Sequence, residues 1–506
     1  MAALRDDIRF LIVAFDGLRP DMVNEALAAN LVRFCRAGTL VGDCRAVFPS
    51  ETRVNQASLV TGCQPARHGI VANKFVEPAA GGYINTADFQ QLSQADDKLG
   101  GGLLTAPSLG EVLHRHGGAL AVLGCGTAGG NRILHHRAAA LGDLNMSLHG
   151  LEKSTTPAAA AELLGRIGPF PSEAIPNGAR MHWLTDAYTT AVAPERDPTV
   201  AIIWFSDPDR PYHYRGIESP EAKESIRLAD AAFGRLVDWR RASGQDDRLQ
   251  IIALSDHGHI RATGQPLDLE GRMRAAGFAL GEGGDAVLVP GTCGSLYTAD
   301  AKRQAAIAGW LQEQPWCGPI LARVLDGDVP VGTLPLDAAN LDHARAGDLV
   351  FVLARDDATV ETAPGRCLHD NPDIPEGCGL HGGLNRYELS NFLAFSGSCF
   401  ARGRTVPGPV GIVDVMPTLL QLLGLEEVVP MDGRVLAETL DSGVTAAPEA
   451  QRRETKARAA NGYRQRLSAD EAGGVRYLFE AGREDPGGLE ALPQAEHGRA
   501  VSSAPR

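Results

Sequence analysis

AVFPSETRVNQASLVTGCQPARHGIVAN (residues 46–73) carries two candidate nucleophiles, Thr52 and Cys63, and the segments on either side decide both the architecture and the choice. Thr52 follows "FPSE" where the pattern predicts a helix to begin, over 52–61. A helix N-terminus offers unpaired N–H groups and a positive dipole end to a phosphoryl oxygen. Cys63 opens the string "CQPAR"; by itself it reads as a small core or loop residue.

Upstream, "IRFLIVAF" (8–15) is continuous and apolar, the pattern of a parallel strand buried on both faces. A helix is predicted over 20–38, with Pro20 near its start and Gly38 after its end. Similar strands recur at 119–125, 199–206, 249–255 and 391–397, with helical stretches at 107–116, 219–242 and 413–423 between them. The alternation predicts an α/β fold, a mostly parallel sheet sandwiched by helices. The interval 260–375 is too long for a loop and reads as an inserted subdomain in a catalytic domain made of 1–259 and 376–440. Residues 441–506 read as a C-terminal extension, partly disordered, in which "GGVRYLFEAG" (473–482) packs as a strand.

The composition is that of a globular protein, 44% hydrophobic and 22% charged, with a net charge of −14. That charge argues against duplex nucleic acid as a partner, though a bound metal can reverse the local field for a small anion. The N-terminal "MAALRDDIRFLIVAFDG" lacks a secretory pattern, and no stretch approaches the ~20 apolar residues of a membrane span. Nine cysteines without Cys-x-x-Cys spacing favour reduced thiols and a cytoplasmic location, with no membrane partner. Nothing in the sequence marks an oligomeric state.

In parallel sheets, reactive residues gather at the carboxyl ends of strands. Asp16 ends the first strand, Asp207 and Asp209 the one at 199–206, and Asp256 and His257 the one at 249–255. Asp209 and His213 lie four apart, and His381 sits in "GLHGGLNRYE". Each has an ordinary reading alone: Asp16 as a helix cap, His257 as a loop histidine, His381 as a turn residue. Together they form a carboxylate and imidazole set without thiolate, suited to two zinc ions or another divalent metal at a catalytic site. Two such ions can clamp the attacking and leaving oxygens of a displacement at phosphorus.

The motifs "IVAFDGLRPDMV", "FPSETRVNQASLVTGCQPARHGIVAN", "DPDRPYHYRG", "LSDHGHI", "GLHGG" and "VGIVDVMPTLLQLLGL" resemble the alkaline phosphatase superfamily. The resemblance is to its type I phosphodiesterase/nucleotide pyrophosphatase branch, with motifs in the same order over about residues 8–425. It implies an alkaline phosphatase-like fold and a metal-dependent hydrolase acting on a small phosphorus-containing substrate. It implies that Asp209, His213 and His381 hold one zinc, and that Asp16, Asp256 and His257 hold the other. Thr52 would bind the second zinc and act as nucleophile through a phosphothreonine intermediate. Asn73 falls where the family keeps an Asn that hydrogen-bonds a phosphoryl oxygen.

In sulfatases the cysteine that becomes formylglycine precedes a Thr-Gly pair by nine residues; here Thr52 precedes Thr61-Gly62 by nine, so Thr52 takes that place and "CQPAR" is a coincidence of spacing. The chain departs from its relatives at Thr52-Arg53-Val54-Asn55-Gln56, where phosphodiesterases commonly carry Thr-Phe-Pro-Asn-His. Arg53 replaces the aromatic residue that helps stack a nucleobase, and would suit a second anionic group on the substrate. Phosphonoacetate hydrolases share the same ligands and a Thr nucleophile, so C–P bond hydrolysis is the alternative. "GCGTAGG" (124–130), followed by Asp143, also fits a dinucleotide-binding string, a competing oxidoreductase reading without accompanying machinery.

Overall fold

The strand Arg9–Phe15 is buried because each alternate residue meets a different layer. Phe10, Ile12 and Ala14 join one apolar core, packed with Val54, Ala57 and Leu419. Leu11, Val13 and Phe15 join another, packed with Phe34, Ala229 and Phe233. A run of apolar residues thus serves two helical layers at once, as a doubly covered sheet requires. The computed structural model describes residues 4–298, 300–360, 363–425, 428–442 and 446–484.

The main sheet has eight strands in the spatial order Arg404–Val406, Thr39–Val41, Leu393–Ser396, Leu249–Leu254, Arg9–Phe15, Val200–Phe205, Leu120–Gly124, Leu144–Ser147. Arg9–Phe15 runs parallel to both of its neighbours. Leu393–Ser396 alone runs antiparallel to the strands beside it. The sheet is therefore mostly parallel, and helices cover both faces: Thr52–Thr61 and Val415–Leu422 on one, Ala29–Ala37 and Pro220–Ala242 on the other.

The helix expected over 20–38 is shorter. Pro20–Met22 is a single 3-10 turn, and the α-helix spans Ala29–Ala37. Between them the Asn24 side chain accepts the Ala26 N–H at 3.1 Å, a local bond that competes with helix continuation.

Residues between 260 and 375 build a separate core around Leu296, Ile307, Leu311, Trp316, Ile320 and Phe351. Its five-stranded sheet contains Ala286–Val289, Cys293–Thr298, Leu349–Leu353, Cys317–Ala322 and Leu334–Pro335. Ile260–Ala262 pairs with Ala363–Cys367 and with Gly379–Leu380, so the chain leaves and re-enters the main unit beside His381.

Where the sequence predicts one C-terminal strand, the structure has three: Gln451–Arg458, Arg464–Ala472 and Val475–Arg483, all antiparallel. The first is exposed along nearly its whole length, so its sequence shows no apolar alternation. The last strand braces the segment after His381 through an Ala481 N–H to Leu384 carbonyl bond of 2.8 Å. The end of the extension, from residue 485, lies outside the described residues.

Candidate metal centre and active site

Three strand ends and one helix start converge above the sheet. Thr52 is the first residue of Thr52–Thr61, and its Oγ1 lies 3.1 Å from His257 Nε2. Asp16 follows Arg9–Phe15 and Asp256 follows Leu249–Leu254. Asp209 opens the short helix Asp209–Arg215, and His213 sits one turn later on the same face. The loop at Gly17 has to be glycine: its φ is +69°, and a Cβ there would lie 2.7 Å from His259 Nε2. Its N–H bonds Asp256 Oδ1 at 3.0 Å, tying two strand ends together.

All seven residues expected to hold metal are brought into one region, in two overlapping groups. Asp209, His213, His259 and His381 form one; Asp16, Asp209 and His257 form another. Asp256 adjoins the second, with Oδ2 at 3.3 Å from His257 Nε2. His259 is the residue sequence reasoning missed. The repeated histidine of "SDHGHI" was the available signal, but the strand-end rule reaches only Asp256 and His257.

Three imidazole Nε2 atoms crowd Asp209 Oδ1: His259 at 2.9 Å, His213 at 3.1 Å and His381 at 3.4 Å. His213 and His381 each donate from Nδ1 to a backbone carbonyl, Gly379 and Ser50 respectively, both at 2.8 Å. That arrangement turns their Nε2 atoms to the carboxylate, where a neutral ring presents a lone pair, so the contact is favourable only with a proton or a metal cation between. The ring centroids of His213, His259 and His381 are 4.8 to 5.1 Å apart. Three imidazoles on one tetrahedral ion, with Zn–N bonds of ~2.0–2.1 Å, would be separated by roughly 5 Å. Buried Asp16 Oδ1 and Asp256 Oδ2 have no hydrogen-bond partner among the described residues. Orphaned carboxylate oxygens in a closed space are what a missing cation leaves. The donor set therefore fits a divalent metal.

The electrostatics agree. Burial, then the charges of Asp256 and Asp209, push the Asp16 carboxyl well above its usual range. Burial and Asp209 also push Asp256 up to about 7. Burial opposes the charge on Asp209, but His213 and the hydrogen bonds of His259 and His381 hold it well below the usual range. Burial, with His381 and His259 close by, drives His257 well below an ordinary histidine, leaving it neutral as a ligand must be.

Thr52 is 5% exposed and lines a cavity of about 480 Å³. Arg53, Asn73, Lys74, Asp209, His213 and His381 share its lining with Val289–Cys293 and 369–373. Asn73 Oδ1 accepts the Arg53 N–H at 3.4 Å, which leaves its Nδ2 for a ligand. Glu51 in turn holds the Asn73 N–H.

Cys63 is elsewhere. It lies past the far end of the ten-residue helix Thr52–Thr61, at ~1.5 Å per residue roughly 16 Å from Thr52. It is buried, its Sγ donates to Thr61 carbonyl at 3.3 Å, and burial pushes its thiol up to about 12. The dinucleotide reading fails on packing. A Cβ at Gly129 would meet Thr86 carbonyl at 2.1 Å, and one at Gly130 would meet Gln56 Oε1 at 2.6 Å, so no phosphate can approach those glycines. Asp143 is occupied by His135 Nε2 at 2.8 Å.

The family description "Type I phosphodiesterase / nucleotide pyrophosphatase" matches residues 10–366, more than half of the chain. The chain belongs to the type I phosphodiesterase/nucleotide pyrophosphatase family. Members similar to it include bis(5'-adenosyl)-triphosphatase enpp4 of Mus musculus, 26% identical over 255 residues, or 49% of this chain and 47% of that protein. The venom phosphodiesterase of Macrovipera lebetinus is 23% identical over 256 residues, 49% of this chain and 25% of that protein. The chain thus aligns with about half, or less, of these relatives' length. In fold it matches murine ectonucleotide pyrophosphatase/phosphodiesterase 5, described as an inactive threonine-to-alanine variant in complex with AMP. The TM-score is 0.60 at 17% identity, covering 86% of this chain and 100% of that one. His381 lies beyond the matched family segment, and the structure carries it to the same cluster.

Proposed function

We propose that this protein is a hydrolase of phosphodiester or phosphoanhydride bonds, with two zinc ions as its metal and Thr52 as its nucleophile. The observation that carries the reading is the position of Thr52 Oγ1, at a helix N-terminus and 3.1 Å from His257 Nε2, opening onto the cavity beside both donor groups. The inactivity of the threonine-to-alanine variant of that relative supports the role of a threonine, and its AMP supports a phosphorus-containing ligand.

Asp209, His213 and His381, with His259 against them, would hold one zinc; Asp16, Asp256, His257 and Thr52 would hold the other. When bound, the ions supply positive charge that lowers the pKa of a hydroxyl and offsets charge on phosphoryl oxygens. Thr52 Oγ1, its proton lost to solvent, attacks phosphorus in line. The Oγ1–P bond forms as the bond to the leaving oxygen breaks, and that oxygen keeps the electron pair. A water then releases phosphate or phosphomonoester from phosphothreonine. Asn73 Nδ2 and the N–H groups of the first turn of Thr52–Thr61 hold the charge that develops. Nine free cysteines, eight of them buried, support a reducing compartment.

The test is turnover of bis-p-nitrophenyl phosphate by purified full-length protein before and after dialysis against a strong chelator. Activity should vanish and return with zinc, and Asp256→Asn and His381→Ala should each lower bound metal measured by elemental analysis. Full activity retained after exhaustive chelation would rule the mechanism out.

A further inference from the structure

The feature of the cavity that the hydrolase reading leaves unused is Arg53. Most deeply placed arginines of this protein are paired. Arg45 meets Asp43 and Asp470, Arg132 meets Asp96, Arg345 meets Glu77, Arg355 meets Glu388 and Arg434 meets Glu438. Arg53 makes no ion pair and no side-chain hydrogen bond among the described residues, and its Nε is enclosed without a partner. Glu51, the nearest acid in sequence, is committed to the Asn73 N–H. Burial works against the Arg53 charge, and Glu51, Asp16, Asp209 and Asp256 favour it without pairing with it, so an anion in direct contact would supply the hydrogen bonds that the guanidinium lacks.

The rest of the lining says what that anion belongs to. No Phe, Tyr or Trp is among the residues that line the cavity. Apart from His213 and His381, its one aromatic ring is His369, which is only 1% exposed and so presents no open face. A nucleobase would find no stacking face of the kind that contributes ~1–3 kcal/mol per base. Lys74, next to Asn73, lines the same cavity and adds a second cation, within electrostatic reach of Glu51 and Asp370. Asp370 and Asp373 stand among the lining residues of the 369–373 segment, and would repel an anion that reached them.

We propose that the substrate carries a second anionic group, a carboxylate or a further phosphate, joined to the reacting phosphorus by a short linker, and that Arg53 with Lys74 binds this group in place of a nucleobase. Arg53 directly follows the nucleophile, so the group it holds must lie close to the phosphorus. The planar guanidinium fits either kind of anion in a bidentate contact. The inference rests on the hydrolase reading of the same site.

Two measurements keep it separable from that reading. The first is kcat/KM of the zinc-loaded full chain for bis-p-nitrophenyl phosphate, the p-nitrophenyl ester of thymidine 5'-phosphate, and p-nitrophenyl phosphodiesters ending in a carboxylate or a phosphate. The anion-ended diesters should be preferred to both others by ~10-fold or more. Arg53→Ala should cut that preference ~10–100-fold, the range of a charge-assisted hydrogen bond, and Arg53→Lys should restore part of it. The stronger of the two anion-ended esters names the group, and phosphate release from phosphonoacetate would name a carboxylate on a phosphonate. Preference for the thymidine ester, or equal losses by Arg53→Ala on every ester, would overturn the proposal. The second measurement is equilibrium binding of 3-phosphonopropionate against ethylphosphonate. Tighter binding of the former by ~10-fold, lost in Arg53→Ala, supports the subsite even if no ester is turned over. In that case the hydrolase reading alone fails. Equal affinity for the two phosphonates would refute the subsite.

Discussion

Two polar clusters of similar burial behave in opposite ways. Around Asp414 every demand is met: Oδ2 accepts the Gly411 N–H at 2.8 Å and the Tyr477 hydroxyl at 2.9 Å, and Oδ1 accepts the Arg434 N–H at 2.8 Å. The Arg434 guanidinium then spans Tyr477 and Glu438. Around Asp209, three imidazoles compete for one oxygen while Asp16 Oδ1, Asp256 Oδ2 and His259 Nδ1 have no hydrogen-bond partner among the described residues. The first cluster joins the C-terminal sheet to the catalytic unit and completes itself. The second is incomplete as protein and is completed by something that binds. Satisfied buried polarity marks a structural joint; frustrated buried polarity marks a site.

The largest expected effect that tests this contrast is Thr52→Ala. We expect kcat on a phosphodiester to fall ~10³-fold or more, the scale of losing an activated nucleophile. The melting temperature should stay nearly unchanged, because the only side-chain bond lost is the one to His257. A parallel fall in stability would mean Thr52 belongs to the structural class.

Next comes His259→Leu. Zinc affinity, read by competition with a chromogenic chelator, should weaken ~10–100-fold, the usual cost of removing a group that supports or joins a ligand set. The metal-free protein should lose little stability, since the variant gives up the 2.9 Å bond from Nε2 to Asp209 Oδ1 but also removes a buried imidazole whose Nδ1 is unpartnered among the described residues. Unchanged affinity would place His259 outside the centre.

Much of this was legible before any coordinates. The apolar runs at 8–15, 199–206 and 249–255 announce buried parallel strands, and the acids at their ends announce the site. Period and strand-end placement are local properties, and local properties are written in the sequence. His259 was missed because its side chain reaches the cluster only through the turn after Asp256, a matter of tertiary geometry. The C-terminal sheet was missed for a different reason. Gln451–Arg458 is an exposed polar edge strand, held by ladder hydrogen bonds that leave no apolar pattern to read. Arg53 stood out as a departure from its relatives, but that it lacks a partner is visible only in the fold.

Tyr477→Phe probes the opposite side of the comparison. It deletes a buried hydroxyl that donates to Asp414 and accepts from Arg434 Nε at 3.1 Å. Stability should fall by about 1.5–3 kcal/mol, the range for a hydrogen bond to a charged group. Turnover per folded molecule should not change, because Tyr477 does not line the catalytic cavity. A drop in kcat at temperatures where the variant is fully folded would show that the C-terminal sheet tunes the active site through the Ala481 to Leu384 contact.

The smallest effect is expected at the second candidate nucleophile. Cys63 is fully buried, and its thiol is held away from ionisation by burial. A cysteine recruited for catalysis has its pKa lowered by nearby positive charge and opens onto a cleft; here the shift runs the other way, and the cavity above Thr52 does not reach it. Cys63→Ala removes one sulfur from a packed position, a loss of about 1 kcal/mol or less on the scale of deleting a single buried group. Turnover should match the unmodified chain within twofold, about 0.4 kcal/mol in the barrier. Intact-protein mass spectrometry should show the unmodified thiol at this position. Abolished turnover together with a mass consistent with formylglycine would transfer the nucleophile from Thr52 to Cys63. The helix Thr52–Thr61 would then have to be repositioned by its whole length, a change the packing of Val54, Ala57 and Val60 in the core opposes.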